Sequence, residues 1–211
     1  MPPKRAADFR RRLARWFRRA GRDLPWRRTS DPYAILVSEA MLQQTQVARV
    51  LEFYEPFLDR FPTLERLAAA PPQRVREAWE GLGYYARARN LHALARTVTV
   101  LPDDATALRR LPGIGPYTAG AVASFAFRRR AALVDTNVAR VLSRVFAPRL
   151  DGKRPRDLAR IWALAEALLP RTGDATWTHN QALMELGALI CTARVKRCGA
   201  CPVRALCRSR E

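Results

Sequence analysis

Leu111-Pro112-Gly113-Ile114-Gly115-Pro116-Tyr117-Thr118-Ala119-Gly120 punctuates two helices, and its reading decides the fold. Gly113 and Gly115 permit a tight turn with positive φ, and Pro116 suits the first position of a new helix, where its missing N–H costs no bond. Such a turn leaves backbone N–H groups at a helix N-terminus pointing outward, an arrangement that binds phosphate without a side-chain charge. The same ten residues also read as a plain interhelical turn, and alone they leave both readings open.

Outward from this hairpin the 3.6-residue period continues almost everywhere. Apolar faces recur over 6–20, 32–53, 64–69, 72–79, 86–97, 105–109, 116–127, 138–146, 156–169 and 176–190. Asp31-Pro32 and Pro71-Pro72 read as helix starts, and Gly81-x-Gly83 as a turn. No alternating run is bounded like a strand; 97–101 comes nearest and reads as a connection. The fold class is therefore all-α. With 211 residues and 48% hydrophobic content, the chain has apolar mass for one or two compact domains. It shows no repeat, no low-complexity tract and no flexible linker.

Charge points to the partner. Lys and Arg number 38 against 19 Asp and Glu, a net charge of +19, and such an excess suits a polyanion, most commonly nucleic acid. Only Lys4, Lys153 and Lys196 are lysines; a codon bias explains arginine over lysine but not basic over acidic. Phe9, Leu13, Trp16 and Phe17 form an apolar stripe among the arginines of the first helix. That stripe is compatible with a membrane surface or a transit peptide, and equally with a first helix docking on a core, which we take as the expectation. Residues 1–12 lack the apolar run of a signal peptide, and no stretch is apolar enough to span a membrane.

Four cysteines crowd the end as Cys191-x6-Cys198-x2-Cys201-x5-Cys207. In a reducing compartment clustered thiolates hold metal more often than they form disulfides. Zinc and a [4Fe–4S] cluster both accept four thiolates, and the spacing leaves the two open.

Taken together, the Leu111–Thr118 hairpin, an aspartate (Asp135) some twenty residues on and the terminal cysteine run resemble the helix–hairpin–helix DNA glycosylases of the endonuclease III superfamily. Ser38-Glu39-Ala40-Met41-Leu42-Gln43-Gln44-Thr45-Gln46-Val47, the run Gly81-Leu82-Gly83-Tyr84-Tyr85-Ala86-Arg87-Ala88-Arg89-Asn90-Leu91, and Leu24-Pro25-Trp26-Arg27 are similar to the adenine glycosylase (MutY-like) branch. The resemblance implies two helical lobes. A six-helix barrel with the helix–hairpin–helix spans 22–132, and an iron–sulfur lobe is built from 1–21 and 133–211. It selects a [4Fe–4S] cluster on the four cysteines. It also implies that duplex DNA with a mispaired base is gripped across a cleft into which the target base is flipped. A cytoplasmic, nucleoid-associated monomer with no membrane partner is expected.

Cleaving the N-glycosidic bond of adenine needs a proton on the base and a stabilised positive charge on the sugar. Glu39, in an apolar helix with Gln43 one turn away, suits the acid, because burial would raise its pKa. Asp135 suits the second carboxylate, although a helix N-cap also explains it. The resemblance implies that Asn137 supports Asp135 and that Tyr117 shapes the sugar site. Glycosylases that nick the backbone carry a Schiff-base lysine where this chain has Tyr117, so base removal without strand cleavage is expected. By the same resemblance, Gln43, Gln44, Tyr84 and Tyr85 wedge into the duplex, Gly113 and Gly115 meet a phosphate, and Gln181 reads adenine with Trp26 and Arg27. His92 and His179 read as structural.

Adenine glycosylases of this branch continue past the cluster into a domain that reads 8-oxoguanine, whereas this sequence ends at Glu211. The expectation is adenine excision from A·8-oxoG or A·G with weak discrimination between the two. Excision of thymine or uracil from T·G or U·G is the runner-up. A non-catalytic iron–sulfur DNA-binding protein and a zinc-stabilised nucleic-acid-binding protein are the readings from another class.

Overall fold

The structure is a computed structural model describing residues 2–209. Met1, Arg210 and Glu211, which fall in the expected segments 1–21 and 133–211, lie outside the described residues. Among the described residues the chain forms eleven α-helices and no β-strand, with one isolated antiparallel bridge between Cys191 and Lys196. Residues 97–101, the nearest thing to a strand in the sequence, are turn and coil. The chain divides into two compact units, Leu24–Phe127 and the discontinuous pair Met1–Asp23 with Arg128–Glu211.

Helix α2 (Pro32–Leu42) is the centre of the first unit. Asp31 starts it by accepting the Tyr33 N–H at 3.0 Å, and Pro32 occupies its first turn. Its sequence is apolar on all sides, and residues 33–41 are all buried, as a helix enclosed by neighbours requires. Those neighbours are α3 (Val47–Arg60), α6 (Ala86–Ala95) and α8 (Pro116–Phe125). Helix α4 (Leu64–Ala69) packs on α6, as does α5 (Pro72–Ala78); short α7 (Ala105–Leu108) leads into α8. Trp79 and Phe61 meet the Phe57 ring edge-on at 5.6 and 5.1 Å, and the Tyr33 hydroxyl donates to the Phe61 carbonyl at 2.7 Å.

The apolar period predicts one helix over 32–53, and the structure breaks it. Helix α2 ends at Leu42, Gln43 is extended, and Gln44 takes a left-handed φ of 58° before α3 begins at Val47. The break comes from a tertiary contact. Arg87 of α6 takes the carbonyls of Ala40 and Met41 at 2.9 and 2.7 Å, satisfying a helix end that periodicity cannot see.

In the second unit, α1 (Pro3–Ala20) packs on α11 (Gly173–Leu189), α11 on α9 (Thr136–Phe146), and α9 on α10 (Pro155–Leu168). Ala6, Phe9, Leu13 and Phe17 of α1 are buried and Trp16 is half-buried. The arginine-rich helix therefore buries its apolar stripe against its own unit, as docking predicts. No helix of the described residues is long and apolar enough to cross a membrane. A Cβ at Gly173 would sit 1.6 Å from the carbonyl oxygen of Arg128, so the start of α11 rests directly on backbone. Beyond α11 the chain is held by arginines. Arg5 donates to the Leu206 carbonyl at 2.7 Å, and the Arg208 and Ser209 N–H groups donate to the carbonyls of Val145 and Arg144 at 3.2 and 3.1 Å.

His179 lies fully within this core, edge-on to Phe9 at 6.1 Å. Burial, reinforced by the nearby Arg10 charge, pushes its pKa down to about 3, so it is neutral and structural. An unfolded histidine titrates near 6.5. Between about 6.5 and 3 the unfolded chain binds a proton that the folded one refuses, and stability falls as pH falls, by about 1.4 kcal/mol per pH unit. Urea unfolding from pH 7.5 to 4.5 should show this slope, and His179→Leu should flatten it. An equal slope in the variant would place the acid sensitivity elsewhere.

Candidate active site

In the first unit, Glu39 sits one turn from the end of α2 and is 3% exposed, among Leu36, Val37, Ala40 and Met41, all buried. Its carboxyl is thus set in an apolar helix whose end meets a loop rather than another turn. Gln43 follows Glu39 by one turn, at the very end of α2. It is the C-cap residue of α2, and its amide donates to the Thr118 hydroxyl of α8 at 3.4 Å. Gln44 follows, exposed.

The second loop is Gly81–Tyr85. Gly81 and Gly83 have φ of 96° and 70°, and Tyr84 follows at 47°. Gln44 and Tyr84 are thus two non-glycine residues held left-handed, a conformation that costs on the order of 1 kcal/mol each and gathers at functional sites. Tyr84 is 60% exposed and Tyr85 is half-buried beneath the Arg76 guanidinium, 5.5 Å from its ring. Arg49 secures the start of this loop by donating to the Gly81 carbonyl from Nε and Nη2, both at 3.3 Å. Trp26 and Arg27 lie in a 3₁₀ turn (Pro25–Arg27). Trp26 is buried edge-on against Tyr54 at 5.3 Å, while Arg27 is half-buried.

The hairpin forms between α7 and α8 with one departure from expectation. Gly113 is left-handed at φ 75°, and a Cβ there would strike that of Asn90 at 2.6 Å. Gly115 is instead an extended N-cap of α8, at φ −86°, where a Cβ would meet nothing within 4 Å. Only Gly113 is required by the turn. If this turn meets a duplex phosphate, as the resemblance implies, Gly115→Ala should weaken duplex binding with little change in melting temperature, because the added methyl occupies the space before the α8 N-terminus. An unchanged Kd at low and moderate salt would remove this turn from the binding surface. Tyr117 follows in the first turn of α8, half-buried.

The second unit carries Asp135, Asn137, Gln181 and the cysteines. Asp135 caps α9, its Oδ1 accepting the Val138 N–H at 2.7 Å, so the capping reading holds. Its other oxygen accepts from the Asn137 amide at 2.9 Å. Asn137 in turn accepts from Arg140 Nη2 at 2.7 Å, and Arg140 donates to the carbonyls of Cys191 and Gly187 at 2.8 and 2.9 Å. Arg144 extends this chain to the Thr192 carbonyl at 2.7 Å and the Cys191 sulfur at 3.4 Å. Asp135 is thereby tied to the first cysteine through two side chains. Arg140 and Arg144 escaped the sequence reading. Their spacing from Asn137 was the available signal, and nothing local distinguishes them from the other arginines.

Gln181 is 4% exposed on α11, one turn before Glu185. Glu185 is held by Arg22, which donates to it from Nε and Nη2 at 2.9 and 2.8 Å; this bond raises the Arg22 pKa.

Cys191, Cys198, Cys201 and Cys207 are all free thiols. They line one cavity with Val141, Val145, Leu186, Ile190 and Val203. Burial pushes the Cys201 thiol up to about 11 and raises Cys207 as well; a metal binds the thiolate form, so binding there would release protons. Among the described residues no group of His, Cys, Asp and Glu is set to hold a metal ion. Four soft sulfur donors around an apolar space nevertheless fit a thiolate-held cluster by donor chemistry and by lining.

Residues 37–164 match the family described as HhH-GPD superfamily base excision DNA repair protein, and the chain belongs to it. Among curated relatives, it is 45% identical to the adenine DNA glycosylase of Homo sapiens, over 96% of this chain and 39% of that protein. It is 47% identical to the adenine DNA glycosylase of Mycobacterium tuberculosis, over 90% of this chain and 64% of that protein. The chain thus spans less than two thirds of either relative. Of solved structures, a thermostable thymine-DNA glycosylase superposes with a TM-score of 0.89 at 32% identity, covering 98% of this chain and 96% of that one. A trapped endonuclease III–DNA covalent intermediate gives a TM-score of 0.79 at 25% identity, covering 99% and 97%.

Proposed function

We propose that this chain is the catalytic core of a monofunctional DNA glycosylase that excises adenine mispaired with 8-oxoguanine or guanine. The observation that carries the proposal is 45% identity to an adenine DNA glycosylase across 96% of this chain, over a length that includes both carboxylates. Glu39 donates the proton that makes adenine a leaving group. Asp135, its geometry set by Asn137 and the Val138 N–H, faces the charge that develops on the sugar or bonds to it transiently. Tyr117 shapes the sugar site. The N-terminus of α8 at Gly113–Gly115 holds a backbone phosphate, and the +19 charge supplies a salt-sensitive grip on duplex DNA. Gln43, Gln44, Tyr84 and Tyr85 enter the duplex as the base leaves the stack, offsetting an unstacking cost of a few kcal/mol. Gln181, with Trp26 and Arg27, contacts the flipped adenine. The four cysteines hold a [4Fe–4S] cluster that organises the segment after α11. The protein acts as a monomer in a reducing, nucleoid-containing compartment.

The 32% identity to a thymine-DNA glycosylase at a TM-score of 0.89 favours a second reading, in which the base removed is thymine or uracil opposite guanine. Single-turnover assays on A·8-oxoG, A·G, A·C, T·G and U·G duplexes separate the two. Adenine loss from A·8-oxoG and A·G is expected, leaving intact abasic strands. Thymine loss without adenine loss would move the chain to the second reading. Borohydride added during turnover should trap no covalent adduct, since Tyr117 cannot form a Schiff base; efficient trapping would overturn the monofunctional assignment.

A further inference from the structure

Arg87 is a buried guanidinium, 8% exposed, whose hydrogen bonds run to two different loops. From Nη1 it donates to the carbonyls of Ala40, Met41 and Gln43, at 2.9, 2.7 and 2.5 Å. From Nη2 it donates to those of Leu82 and Gly83, at 3.2 and 3.0 Å, and Nε reaches the Tyr84 carbonyl at 3.4 Å. The guanidinium also lies 5.4 Å from the Trp79 ring and 5.5 Å from the Tyr84 ring. Every one of these acceptors is a backbone carbonyl, so what the side chain fixes is the path of the chain. On either side of it stand two left-handed residues of these loops, Gln44 at φ 58° and Tyr84 at φ 47°. Neither conformation is one its own residue prefers, and each persists only where its surroundings over-determine it.

We infer that Arg87 is a positioning residue that couples the Gln43–Gln44 and Gly83–Tyr84 loops, so that both present their side chains to the duplex as one preset wedge. The inference rests on the reading of Gln44 and Tyr84 as the residues that enter the stack. The planar fork is what the role requires. Its two terminal nitrogens serve one loop each, whereas an ammonium on a flexible stem is a single point that cannot span both sets of carbonyls. The end of α2 adds to this, since its last carbonyls carry the negative end of the helix dipole and a cation is favoured there. The Gln43 amide, bonded to Thr118 of α8, links the same wedge to the helix that follows the hairpin. Arg87 thus acts on flipping through the loops, without touching the base.

The test uses the whole protein and a duplex carrying 2-aminopurine beside the adenine of an A·G mispair, whose fluorescence rises when its neighbour leaves the stack. Glu39→Gln is included in the binding experiments so that no excision intervenes. Arg87→Met and Arg87→Lys are compared with Tyr33→Phe, which removes the hydroxyl bond to Phe61 in the same unit and reports what lost stability does alone. Both Arg87 variants should bind the duplex but lose most of the fluorescence rise. With Glu39 intact, their single-turnover excision at saturating protein should fall by roughly 10²-fold, the usual cost of an aligned group misplaced by about 1 Å. Tyr33→Phe should keep the fluorescence rise. If Arg87→Met does not fold, Arg87→Lys carries the comparison. Full unstacking by Arg87→Lys, or equal losses in Arg87→Met and Tyr33→Phe, would overturn the coupling role. A wild-type protein that unstacks the base yet excises nothing would instead sink the glycosylase reading and leave this one standing. One that never unstacks the base overturns this inference.

Discussion

Glu39→Gln is expected to lower single-turnover adenine excision by about 10²–10⁴-fold, the usual yield of a general acid, with duplex affinity little changed. The amide keeps the size and shape of the carboxyl but has no proton of suitable acidity to give. Glu39 is buried in α2, so the substitution leaves the surface charge that attracts DNA untouched. The measurement is a pair of experiments, the excision rate at saturating protein and the Kd for the same duplex. A near wild-type rate would take the acid role away from Glu39. A large loss of affinity alongside activity would mean that the buried carboxyl holds the fold together instead.

Cys198→Ser should be the most disruptive change away from the carboxylates. With one of the four thiols gone, the proposed cluster should be lost, and with it the visible absorbance of a thiolate-bound iron–sulfur cluster. Binding energy at such a site is folding energy, so the melting temperature should fall too. The consequence for catalysis follows from Arg140, which bonds the Cys191 carbonyl and the Asn137 side chain, with Asn137 bonding Asp135. If the segment after α11 loosens, Arg140 loses its bond to Cys191 and keeps the one to Gly187 of α11, so Asn137 and with it Asp135 are held less firmly. Excision should drop by roughly 10²-fold or more, as misaligned groups do. Iron content, melting temperature and excision rate measured on one preparation decide the matter. An iron-free variant that excises at the wild-type rate would show that Asp135 is held without the cluster.

Legibility divided along the line between local and distant causes. The helix–hairpin–helix was visible because glycine and proline act within a few residues, and the all-α class because apolar period is a local signal. Glu39 and Asp135 stood out by their sequence context, and the helix cap at Asp135 was readable beside its proposed chemistry. The break at 43–46 was not, because the apolar period of α2 runs on into α3 and the chain is turned by Arg87, more than forty residues away by hydrogen bond. Gly115 misled for a related reason. A glycine announces permission for positive φ, but whether the permission is used depends on packing, and here only Gly113 uses it. Arg140 was hidden by abundance, one cation in a chain with 38 Lys and Arg.

The split unit has a consequence for how this protein is made. Residues Leu24–Phe127 are continuous, so the helices that pack within that unit leave the ribosome together. Helix α1 and its partner do not, because the helix it packs on, α11, begins at Gly173, about 150 residues after Ala20. At about 5–20 residues per second of synthesis, α1 waits roughly eight to thirty seconds with Phe9, Leu13 and Phe17 uncovered. Throughout that interval an amphipathic, arginine-rich helix is available to chaperones and to the polyanionic surface of the ribosome itself. The nascent chain therefore spends much of its synthesis with the apolar stripe of α1 uncovered.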